Sequence, residues 1–149
     1  MANWQKIEQD HPEFAAKVKA RFEAGTNKTL ATLRRDGSPR ISAIELVLTP
    51  EGEITFGSMP GARKLQDIHR DPRIAIHSPT VEPPSPAGDA KLTGLAVPFQ
   101  APEKDAVADA GYFRVEVKEM SLMYVGEPAD HLVIESWDEV HGYRRRTRK

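Results

Sequence analysis

The spacing of apolar residues changes character near Gly25. Within residues 11–24, Phe14, Val18 and Phe22 recur every fourth position. That spacing lines one face of a helix, with Pro12 placed for its start and Gly25 for its end. Beyond it come short β-prone runs at 29–35, 41–48 and 54–58, divided by Asp36-Gly37-Ser38-Pro39 and Pro50-Glu51-Gly52. Such turns predict a meander of antiparallel strands. Residues 61–70 return to helical spacing, with Leu65 and Ile68 on one face, and Asp71-Pro72 stops them before a strand at 74–77.

Residues 78–89 hold four of the 12 prolines, too many for ladder pairing, so 78–90 is expected to be a long Pro-rich loop. Further strands are expected at 91–97, 113–125, 132–136 and 143–147, with a short helix within 102–110. Hairpin-linked strands in this number favour a closed barrel, which removes exposed sheet edges. The predicted fold class is mainly β, a barrel with a few short helices. A chain of 149 residues is expected to form one domain over 1–149, with 1–27 as its N-terminal helical segment.

Composition narrows the chemistry. With 39% hydrophobic and 29% charged residues the chain is globular in type. No apolar stretch approaches the roughly 20 residues that span a bilayer, and the first residues lack a signal-peptide core, so no membrane association and a cytoplasmic location are expected. Zero cysteines exclude disulfides, thiolate nucleophiles and thiolate metal sites. The net charge of −1 conceals a basic end, Arg144, Arg145, Arg146, Arg148 and Lys149. Such a run suits a solvated or guarded edge strand better than a nucleic-acid site, and nucleic acid is not an expected partner.

The common catalytic signatures for dinucleotide binding, serine hydrolysis, zinc proteolysis and phosphate-loop chemistry are absent. The five histidines are scattered without metal-ligand spacing, so no metal site is expected. Glu45 shares a strand face with Ile41, Ala43 and Val47, where a solvated or interface-rim position is expected. For Trp4 and Trp137 core packing is favoured over stacking on a ligand ring. One segment carries chemistry: Phe56-Gly57-Ser58-Met59-Pro60-Gly61-Ala62-Arg63-Lys64. A strand end, a Gly/Pro turn and a helix start with a hydroxyl and two cations suit a phosphate. Cations in a first helical turn oppose the helix dipole by about 0.3–1 kcal/mol each, which an anionic ligand reverses.

Four pieces of sequence, Thr29-Leu-Ala-Thr-Leu-Arg-Arg-Asp-Gly-Ser-Pro-Arg-Ile-Ser, Ile54-Thr-Phe-Gly-Ser, Ala62-Arg-Lys-Leu and Arg70-Asp-Pro-Arg-Ile-Ala-Ile, together resemble the pyridoxamine 5′-phosphate oxidase-like flavin-binding split-barrel family. The resemblance covers 29–78 and beyond that rests on strand pattern alone. It implies a six-stranded antiparallel split β-barrel, a homodimer, and FMN or the deazaflavin coenzyme F420 in a groove between subunits. Carried over by position, Arg63 and Lys64 resemble the cofactor-phosphate ligands, with Ser58 as hydroxyl partner. Arg40, Ile41 and Ser42 resemble the positions along the ribityl chain and ring edge. The C-terminal substrate motifs of the member that oxidises pyridoxamine phosphate are missing. The expected function is therefore a flavin-type oxidoreductase moving a hydride to or from a small planar substrate, with no protein side chain assigned as catalytic. A non-catalytic flavin- or haem-binding module is the alternative.

Overall fold

The computed structural model describes residues 3–80, 82, 87–102 and 106–149. Strands β1 (Asn27–Leu33), β2 (Pro39–Leu48), β3 (Ile54–Ser58), β4 (Arg73–His77), β5 (Asp89–Pro98) and β6 (Gly111–Val125) form a closed antiparallel barrel. The order runs β3-β2-β1-β4-β5-β6, and β6 returns to β3, Phe56 facing Phe113 and Ser58 facing Gly111. At 15 residues β6 outruns the barrel. Its later half pairs with β7 (Leu132–Asp138), which pairs in turn with the edge strand β8 (Gly142–Arg148).

Turn chemistry explains the meander. Gly37 and Gly52 take φ of 85° and 84°, the left-handed region that a side chain disfavours. Alternation along the strands sends Leu30, Ile54, Ile76, Leu92, Phe113, Val115 and Leu122 into one core, each at most 1% exposed. Two helices cover this core, α1 (Trp4–Asp10) and α2 (Pro12–Phe22), and α2 seats Phe14, Val18 and Phe22 against the sheet. A third helix, α3 (Arg63–Arg70), carries the chain from β3 to β4 and lies against β1.

The structure corrects the sequence reading in two places. The N-terminal segment is two helices, because Asn3 caps a first one at Lys6 N–H (3.2 Å) and His11 breaks the run before Pro12. The helix expected within 102–110 is absent from 106–110, which form a turn closed by Ala110 N–H on the Val107 carbonyl, with Asp109 at a φ of 63°. The rest of that expected helix, 103–105, lies outside the described residues. So do 81 and 83–86 of the Pro-rich loop, and Asp89 and Ala90, placed in the loop by sequence, already belong to β5.

Candidate functional site

The helix α3 builds the site. Apolar positions at Leu65 and Ile68 fix it to the barrel, leaving Arg63, Gln66, Asp67 and Arg70 along one other face. That face meets the β1–β2 hairpin across a cleft of about 440 Å³, where Arg34, Arg35 and Arg40 join Arg63 and Arg70. Five guanidinium groups thus share one hollow, with Asp36 and Asp67 as the carboxylates on its wall.

Asp67 organises the cleft. It is 2% exposed, and one carboxylate oxygen accepts from the Arg40 Nε at 2.7 Å and the Thr32 hydroxyl at 2.8 Å. The other accepts from an Arg70 Nη at 3.1 Å, and the same Nη donates to the Leu33 carbonyl at 2.6 Å. Burial alone pushes this carboxyl up. The bonds from Arg40, Thr32 and Arg70 more than reverse that and hold it below the ordinary carboxylate range. Asp67 therefore stays ionised and fixes Arg40 and Arg70 as a preorganised pair. Asp36 is engaged locally, accepting from the Ser38 N–H and hydroxyl. Arg34, Arg35 and Arg63 have no ion-pair partner among the described residues.

Of the residues singled out by sequence, Arg40 and Arg63 are brought together here. Arg63 is the first residue of α3, whose cap residue Ala62 makes no side-chain capping hydrogen bond and whose first turn holds no acid. Lys64 follows it, half-buried, and does not line the cleft. Ser58 is 3% exposed at the end of β3, its hydroxyl 3.4 Å from the Met59 carbonyl. Alternation separates the β2 trio: Ile41 points outward at 73% exposure, while Ser42 shares the inward face with Arg40. The Ser42 Oγ is buried without a partner, and Ser42 is not among the residues lining the cleft. Sequence reasoning missed Thr32, Arg34, Arg35, Asp67 and Arg70. For Asp67 and Arg70 the one legible signal was their helical spacing from Arg63 and Gln66; Thr32, Arg34 and Arg35 carried none.

The opposite side of α3 borders a larger hollow of about 840 Å³, lined by Leu65, His69, Phe99, Tyr112 and Phe113 among others. No lysine or arginine is among its described lining residues, so of the two hollows beside α3 the cleft is the one with cationic walls. Among the described residues no group of three or more His, Asp or Glu is placed to hold a metal, and no helix is long and apolar enough to cross a membrane.

The family model for pyridoxamine 5′-phosphate oxidase matches residues 14–124, from α2 through nearly all of β6. The chain belongs to the pyridoxamine 5′-phosphate oxidase family. Solved structures agree with this family at the level of fold. PhzG from Burkholderia lata, in complex with tetrahydrophenazine-1-carboxylic acid, is similar over 97% of this chain and 92% of its own, with 11% identity and a TM-score of 0.68. A pyridoxamine 5′-phosphate oxidase-related, FMN-binding protein from Nostoc punctiforme is similar over 96% and 97%, with 9% identity and a TM-score of 0.65. An F420 reductase is similar over 69% and 94%, with 21% identity and a TM-score of 0.54. No curated protein matches the chain in sequence. The oxidase-family barrel explains why α3 and the β1–β2 hairpin meet, since β1 and β2 are neighbours in it and α3 lies on β1.

Proposed function

We propose that the protein binds FMN or the deazaflavin coenzyme F420 and works as an oxidoreductase on a small planar substrate. The observation that carries this reading is the cleft of five arginines at the start of α3, in a chain of this family. The donor set suits a phosphorylated cofactor. Arg63 stands at an uncapped helix start, where the phosphate would take its guanidinium fork and free backbone amides. Lys64, the next residue of the helix, adds a second charge at its start. Arg40, clamped by Asp67, keeps its remaining donors directed without reorganising on binding. When bound, the flavin-type ring supplies the hydride chemistry, and the protein's task is to seat and orient it. Arg34, Arg35 and Arg63 exceed what one phosphate dianion uses, which favours a cofactor with further anionic groups, as in F420.

The second copy implied by the family has a surface to use: Ile41, Ala43 and Val47 form an exposed outer stripe on β2, interrupted by Glu45. A homodimer through this stripe is part of the proposal.

Titrating the purified protein with FMN and with F420, followed by cofactor fluorescence, tests the reading. A dissociation constant below about 100 μM for one of them is expected. Failure of both to bind in that range removes the proposal.

A further inference from the structure

The outer face of β5–β8 carries a second polar hollow, of about 460 Å³, on the part of the sheet that leaves the barrel. Strand register places Lys91, Ser121, Ser136 and Arg144 side by side in one row across four strands. The next row holds Asp89, Met123, Ile134 and Arg146, with Asp89 at the far end from Arg146, outside the hollow and 3.4 Å from His77. Directly opposed residues in such rows lie about 4.5–5.5 Å apart at Cβ, so these side chains converge. The Ser136 hydroxyl is shut off from water and has no hydrogen-bond partner. Lys91 and Arg146 have no carboxylate partner among the described residues, and Arg144 makes one long contact, 3.3 Å, to Asp138. Asp138 is already supplied by the N–H groups of Val140 and His141, so releasing Arg144 leaves it paired. Glu119 and Asp138 occupy the row on the far side of the serines from Arg146, so among the residues lining the hollow the carboxylates stand at one end and Arg146 at the other.

We propose that this face is a second binding site, separate from the arginine cleft, for a small phosphate monoester. Three cations and two hydroxyls offer more donors than the two oxygens of a carboxylate employ. A phosphate brings three terminal oxygens and nearly two charges. Its oxygens would take the Ser121 and Ser136 hydroxyls between Lys91 and the paired arginines, and Met123 with Ile134 would cover the apolar part of the ester. A long polyanion is disfavoured by the two carboxylates in the adjacent row.

Residue-resolved amide shifts in a two-dimensional NMR titration test this on the full chain, with inorganic phosphate and phenyl phosphate as probes. The expected result is saturable shifts at Ser121, Ser136 and Arg144, with phenyl phosphate the tighter probe and the response unchanged in Arg63→Ala. Each of Ser136→Ala and Arg146→Ala should weaken binding about tenfold or more. Ser136→Ala also removes an unpaired buried hydroxyl, so its melting temperature without ligand should not fall, separating lost binding from lost folding. Absence of saturable shifts at these amides up to about 10 mM probe, binding kept within a factor of two in both variants, or equal affinity for the two probes would overturn the proposal. Loss in Arg63→Ala would move the binding to the cleft, and tighter, salt-sensitive binding of an oligonucleotide on the same amides would replace the ligand class.

Discussion

At the scale of single residues, Asp67 governs the cleft more than any arginine does, because it decides which guanidinium groups are fixed and which are free. Asp67→Asn leaves the side chain in place but removes the charge that Arg40 and Arg70 share. A loss of about 2–4 kcal/mol is expected in urea denaturation, together with weaker cofactor binding as Arg40 loses its orientation. Acid has a related effect. Asp67 and Glu135 both sit below the ordinary carboxylate range when folded, so their contribution is complete above about pH 5 and is lost as the pH falls from there. Stability measured from pH 7 to pH 3 should drop on the acid side, and Asp67→Asn should flatten part of that drop. Asp67 also shows where sequence reading stops. A charged residue on an amphipathic helix looks like a solvated one, and only the approach of Thr32 and Arg40 from two strands makes it a buried hub.

Among the elements, β3 is found at Ile54–Ser58 as its sequence pattern indicates, since clear alternation and flanking turn residues fix it locally. The helix α1 was illegible because seven residues with Trp4 and Ile7 as the buried pair give too little periodicity. Its position depends on a contact from far along the chain, the Gln5 N–H on the Gly52 carbonyl at 2.9 Å. The role of β8 was likewise hidden. Its arginines are plain in the sequence, whereas Tyr143 acts by donating to the buried Glu135 at 2.6 Å, beside Tyr124 at 2.6 Å and Lys17 of α2 at 3.0 Å. This cluster ties α2 to the sheet extension. Burial, then the bond to Glu135, pushes the Tyr143 hydroxyl up to about 12. Its folded value is raised, so the contribution is complete below about pH 10 and is lost as the pH climbs toward 12. Alkaline denaturation followed by circular dichroism should show this loss, and Tyr143→Phe should remove it at a cost of about 1 kcal/mol at neutral pH.

For the whole molecule, the barrel, the cleft and the exposed β2 stripe combine into one expectation, a dimer that seats a phosphorylated ring cofactor. Light scattering at micromolar concentration should give twice the 16.6 kDa chain mass, and Ile41→Glu, on the outer stripe, should shift it toward the monomer; a monomeric wild type would remove the dimer. The central claim is that the cleft holds the cofactor's phosphate, and it is tested most directly by comparing whichever of FMN and F420 binds with its phosphate-free form, in wild type and Arg63→Ala. Charge-assisted bonds to phosphate are worth about 1.5–3 kcal/mol, so Arg63→Ala should weaken that cofactor about 10- to 100-fold while leaving the phosphate-free form, riboflavin for FMN or the deazaflavin without its phosphate-bearing tail for F420, nearly unchanged. Equal affinities for the two forms in the wild type, or a cofactor affinity that survives Arg63→Ala within a factor of two, would contradict the account.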